Sequence, residues 1–176
     1  MLDLSVAYHR YRFVGHEFLT WLWFVFENDP KQIELEAYPG CSVKIGNRVV
    51  LENTAYQATE TLIIKGEDVG LEEAMMSLKK GAMISEINLV LSTDRQQMQF
   101  TVKGEGLTIS GMKLLETVEI ENELDREGFL LDRISTCETV MNWLFGVFRI
   151  FLKIRLSENW DRRIVVDMRK WIAERP

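Results

Sequence analysis

The stretch Gly128 to Leu156, GFLLDRISTCETVMNWLFGVFRIFLKIRL, is the longest apolar-periodic run in the chain, and its reading decides the fold. Leu130, Ile134, Cys137, Met141, Leu144, Phe148, Phe151 and Arg155 recur at spacings of three and four, which puts them on one stripe of a helix. From Val140 onward Trp143, Phe145, Val147, Ile150, Leu152 and Ile154 widen the stripe, which predicts a helix covered on more than one side. Such a helix needs a second layer of structure to bury it.

The rest of the chain supplies that layer. The dense run HEFLTWLWFVFE after Gly15 predicts a helix over His16 to Glu27; Trp, Phe and Val also favour strands, but the length favours the helix. Asn28, Asp29 and Pro30 end it. Cys41 to Ile45 and Arg48 to Glu52 flank Gly46-Asn47, a dipeptide that tolerates positive φ and predicts a two-residue hairpin. Thr59 to Lys65 reads as a third strand. Leu71 to Lys80 reads as a short amphipathic helix, stopped by Gly81.

Beyond Gly81 the period changes to two. Ile87, Leu89 and Leu91 alternate along one strand and Met98, Phe100 and Val102 along the next, with a turn over Asp94 to Gln96. Gly104 to Gly106 is another turn, after which Leu107 to Ser110, with or without Met112 to Leu115, add one or two more strands. Glu116 to Glu127 is acidic and reads as a connector or as the first turns of the long helix. Ser157 is placed to cap a last amphipathic helix over Glu158 to Glu174, with Trp160, Ile164, Met168, Trp171 and Ile172 inward. Met1 to Val14 reads as an opening strand or an arm.

This order predicts a single α+β domain over residues 1–176: a mainly antiparallel sheet with helices on one face, a long apolar helix and a final amphipathic helix. At 176 residues and 47% hydrophobic the chain can bury a core without disulfides or metals. Cys41 and Cys137 have no CxxC or Cys/His ligand spacing. A bilayer span needs about 18 nearly uncharged apolar residues. Val140 to Leu156 is interrupted by Arg149, Lys153 and Arg155, and Phe18 to Phe26 is too short. Leu2 to Ala7 is too short for a signal peptide. A cytoplasmic protein without membrane contact is expected.

Catalytic and metal patterns are sparse. His9 and His16 are the only histidines, and His16-Glu17 lacks the second His of a zincin helix. Cys137, on the stripe, reads as a packed small hydrophobe. The glycines of Gly104 to Gly111 lack dinucleotide spacing. Glu72, Glu73, Asp125, Glu127 and Asp132 read as solvated carboxylates at helix ends. No cofactor, small-molecule substrate or catalysis is expected from these residues.

Cations are unevenly placed. A formal charge of −6 argues against a surface that is basic throughout, yet residues 149–176 carry +4 and the remainder −10. Arg162, Arg163, Arg169 and Lys170 recur at a spacing of seven and could meet phosphates without reading bases. The same four also fit a solvated helix face, with the basic groups near its C-terminus.

Several segments, taken in order, resemble the C-terminal half of the recombination-associated RdgC family: Leu19-Thr20-Trp21, Lys80-Gly81-Ala82-Met83, Phe100-Thr101-Val102, Gly111-Met112-Lys113-Leu114, and Asp125-Arg126-Glu127-Gly128-Phe129 before the long helix. The similarity covers residues 15–155, with residues 157–176 as an added basic helix and the family's N-terminal half missing. The resemblance implies a non-catalytic, nucleoid-associated homodimer that binds DNA without base readout. Lys79, Lys80 and Lys113 lie in or beside the matching segments and join Arg162, Arg163, Arg169 and Lys170 as candidate phosphate contacts. The alternative is a protein-interaction or scaffold domain, also homodimeric, without DNA contact. The first reading expects the basic residues to form one patch, the second to find them dispersed among acids.

Overall fold

A computed structural model describes residues 13–31, 33, 40–55, 58–66, 71–94, 96–114 and 123–175. The predicted opening arm falls outside these residues except for its last two positions, as do His9 and most of the acidic connector. Helix α1 is Phe13–Asn28. Strands β1, Ser42–Ala55, and β2, Ala58–Lys65, follow, then helix α2, Leu71–Lys79. Strands β3, Met83–Ser92, β4, Gln97–Lys103, and β5, Thr108–Leu114, come next, with a 3-10 turn at Glu105–Leu107 before β5. Helix α3, Glu123–Arg155, a π-helical turn at Trp160–Ile164 and helix α4, Val165–Glu174, complete the order.

The five strands form one antiparallel sheet in the order β2-β1-β3-β4-β5. The α+β class expected from the periodicities is therefore the class observed. Leu89 faces Phe100, Leu91 faces Met98 and Ile87 faces Val102 across β3 and β4. These six side chains are fully buried. The opposite face is polar: Glu86 pairs with Arg48 and Lys103, and Gln99 bridges Asn47 and Asn88. The sheet thus has one face for the helices and a second that carries polar groups but stays closed over β3, where Asn88 and Val90 are buried.

The most completely enclosed helix is α1 rather than α3. Phe18, Leu19, Trp21, Leu22, Trp23 and Val25 are all buried, because α1 lies among β1, β3, the 3-10 turn, α3 and α4. Phe18 packs on Phe148 and Phe151 at ring separations of 5.2 and 5.4 Å, and Trp23 and Phe24 hold Trp171. At the start of α1, Gly15 touches Gly104 so closely that a Cβ would lie 1.9 Å from its carbonyl oxygen.

Three sequence expectations are corrected. The hairpin at Gly46-Asn47 is instead an irregularity inside one 14-residue strand: opposite β3 the register passes from Ile45↔Leu89 to Val49↔Ile87. Of the one or two strands expected around Gly111 one is found, with Gly111 inside it at φ 62°. Ser157 does not cap the last helix; its hydroxyl donates back to the Ile154 carbonyl at 2.7 Å, and the chain re-enters through the π turn. Finally, α3 is not covered on several sides. Val140, Trp143, Val147, Ile150 and Phe151 are buried, whereas Phe145 is 57% exposed and Arg149 and Lys153 face solvent.

Candidate functional site

His16 is buried, and its Nδ1 is 3.0 Å from the Ile84 carbonyl oxygen, to which it donates. That bond ties α1 to β3. Cys41 is buried, and burial foremost, with the negative charge of Asp94 second, pushes its thiol pKa up. Cys137 is exposed, with its Sγ 3.6 Å from Met112 Sδ, so the expected packing of Cys137 in the core is corrected. Glu72, Glu73, Glu127 and Asp132 are all exposed. Among the described residues no group of three or more His, Cys, Asp or Glu side chains is placed to hold a metal ion.

Of the seven candidate phosphate contacts, Lys113 stands apart on the β5 edge of the sheet, whereas Lys79 and Lys80 at the end of α2 adjoin α4, which carries Arg169 and Lys170. Lys79 comes to the end of α4, where its Nζ donates to the Arg175 carbonyl oxygen at 2.7 Å, and Lys80 follows it in the turn after α2. Lys113 is on β5, the sheet edge opposite β2, whereas α2 touches β1, β2 and α4. Arg162 pairs with Glu158 at 3.6 Å and Arg163 with Asp167 at 3.8 Å, each with its own neighbour one turn away. Arg169 and Lys170 are exposed and rim two different hollows. Arg175 binds Glu27 at 2.6 Å and Arg155 binds Glu17 at 2.7 Å. The positive segment is thus interleaved with carboxylates, which lowers the field a polyanion would meet.

Arg155 also lies over Trp160, 5.2 Å from the ring centroid. Its pair with Glu17 borders a cleft of about 470 Å³ whose other walls include Leu78, Met83, Val165, Met168 and Ile172. The cleft is largely apolar, and Asp161 and Arg169 join the Glu17–Arg155 pair on its lining.

Among the described residues, exposed large hydrophobics are most numerous on α3. Leu130 is 53% exposed, Leu131 67%, Ile134 57%, Met141 40% and Phe145 57%. From Arg126 to Ser135 every residue except Phe129 is exposed, and none belongs to the hydrophobic core. The body of the domain resumes at Thr136, which is buried and accepts a hydrogen bond from Gln96 Nε2 at 3.0 Å. Sequence reasoning singled out Leu130, Ile134, Met141 and Phe145 but not Leu131, and expected them on a covered helix: the three-and-four spacing that marks a helix stripe is the same whether the stripe meets its own sheet or another molecule.

No helix among the described residues is long and apolar enough to cross a membrane. Compared with known families and characterised proteins, the chain matches no family model and no characterised relative.

Proposed function

We propose that the chain is a non-catalytic protein-interaction domain of the cytoplasm whose working surface is the outer face of α3. The observation that carries this reading is the row of large apolar side chains, Leu130, Leu131, Ile134, Met141 and Phe145, standing in solvent on one helix. Soluble domains rarely leave a contiguous apolar patch of that kind without a use for it. The pairing of Arg155, Arg162, Arg163 and Arg175 with carboxylates supports an interaction domain over a DNA-coating one.

A photo-crosslinking residue placed at Ile134, in the cell that makes the protein, should give a defined protein adduct, and one placed at Thr61 on the exposed side of β2 should give none. Absence of any adduct at Ile134 would overturn the reading. The rival reading, sequence-independent DNA contact as the RdgC resemblance implies, is favoured by the exposure of Arg162, Arg163, Arg169 and Lys170. It requires affinity for a random duplex that falls steeply with salt and collapses when those four residues become Glu.

A further inference from the structure

We infer that the outer face of α3 pairs with the same face of a second copy of this chain, as a short parallel two-stranded coiled coil in register. The inference rests on the interaction reading above and names the partner. Leu130, Ile134, Cys137 and Met141 are spaced four, three and four apart, which is a heptad seam with Ile134 and Met141 at a positions and Leu130 and Cys137 at d. All four are exposed in the single chain, with Cys137 also touching Met112 of β5 through its sulfur. Ile at a with Leu at d is the combination that favours two strands. The same series turns into the chain's own core at Leu144, so the seam spans about two heptads and the helices part there.

Geometry leaves room for the partner. At about 100° per residue, the core-facing side of Thr136, Val140, Trp143 and Val147 lies roughly 120° around the helix from the seam. In a two-fold pair the domain bodies therefore point away from the axis on opposite sides.

Charge selects both the partner and the direction. Arg133 precedes the seam residue Ile134 in the g position, and Glu138 follows Cys137 in the e position. In a parallel pair g meets e five residues further along the other helix, which brings Arg133 to Glu138 of the second copy, twice by symmetry. In the antiparallel arrangement that interleaves the same four seam residues, Glu138 would meet Leu131 and Arg133 would meet Val140, and no ion pair forms. Within one chain Arg133 rests on the Phe129 ring at 5.6 Å. Neither Arg133 nor Glu138 holds an ion pair among the described residues. A seam this short buries area near the low end of specific interfaces, about 1,000 Å² in total, so association in the micromolar range is expected.

Sedimentation velocity across the micromolar range tests this, together with mild oxidation by diamide, which accepts the two thiol hydrogens as Cys137 joins Cys137 of the second copy. A reversible dimer is expected, with an interchain disulfide that Cys137→Ser removes. Arg133→Glu and Glu138→Arg should each weaken the dimer several-fold, and the double exchange should restore it. Ile134→Asp, at a position that is 57% exposed, should give a monomer with an unchanged circular dichroism spectrum. A chain that stays monomeric at all concentrations would overturn the inference and leave the interaction reading to the Ile134 crosslink. A dimer abolished by Ile134→Asp but indifferent to the charge exchange would overturn the parallel register alone. A dimer indifferent to Ile134→Asp would overturn the inference and likewise leave the interaction reading to the Ile134 crosslink.

Discussion

Gly46 shows how one residue can mislead a sequence reading and still be explained by it. With Asn47 next to it, the pair carries the composition of a hairpin turn, yet it lies within β1 because Asn88 is buried under it. A Cβ on Gly46 would meet Asn88 Oδ1 at 2.1 Å. Asn88 cannot move aside freely: its Nδ2 donates to the Phe100 carbonyl and to Thr101 Oγ1, both at 3.1 Å, and its Oδ1 accepts from Gln99 at 2.6 Å. Gly46→Ala should therefore cost roughly 1–3 kcal/mol of overpacking strain, read as a lower denaturant midpoint with an unchanged slope. The two cysteines give a second residue-scale prediction. Exposed Cys137 should be alkylated quickly at neutral pH. Cys41 should react slowly, because burial and the charge of Asp94 raise its thiol pKa and the thiolate is the nucleophile. Its rate should climb as pH rises beyond the ordinary thiol range, read by mass spectrometry of the two alkylated peptides; equal rates at neutral pH would contradict the burial of Cys41.

At the scale of elements, α3 is one helix with two environments. Its C-terminal half is held by Trp143 against Phe100 and by Phe151 against Phe18, Trp21 and Trp160. Its outer half, Arg126 to Ser135, is helical outside the hydrophobic core, and such short stretches are marginal in water on their own. Phe151→Ala should cost about 3–5 kcal/mol, while Leu131→Ala should stay within about 0.5 kcal/mol. Amide exchange should be fast over Arg126 to Ser135 in dilute protein and slow over Val140 to Phe151. The existence of this helix was legible because the spacing of three and four runs unbroken from Leu130 to Arg155. Which half is covered was not, since periodicity records only a face. The β3-β4 pair was legible for the complementary reason: Met98, Phe100 and Val102 alternate strictly, and local alternation directly reports a half-buried strand. The π turn at Trp160–Ile164 left no comparable mark, because it is imposed by Trp160 reaching Phe151 and Arg155 rather than by local propensity.

Taken as a whole molecule, the chain separates a closed body from an open arm, and this has a thermodynamic consequence. The body is one continuous core that joins the sheet to α1, α2, α4 and the second half of α3, so it should unfold as a unit. The seam on the outer half of α3 lies outside that core and contributes nothing to a lone chain, but a dimer formed through it exists only in the folded state. Linkage then makes the unfolding midpoint depend on protein concentration. Above the dissociation constant, each tenfold rise in concentration adds about 0.7 kcal/mol per chain, which for a chain of this length raises the thermal midpoint by about 2 °C. Ile134→Asp should flatten that dependence while leaving the midpoint at low concentration near that of the parent, because the side chain it replaces is mostly in water. Arg162→Glu, on the opposite side of the charge argument, should leave the dependence intact, since its partner is Glu158, four residues earlier in the same chain. Differential scanning calorimetry of the three proteins at several concentrations separates these outcomes. A parent midpoint independent of concentration would mean that the apolar seam of α3 is not used between copies of this chain.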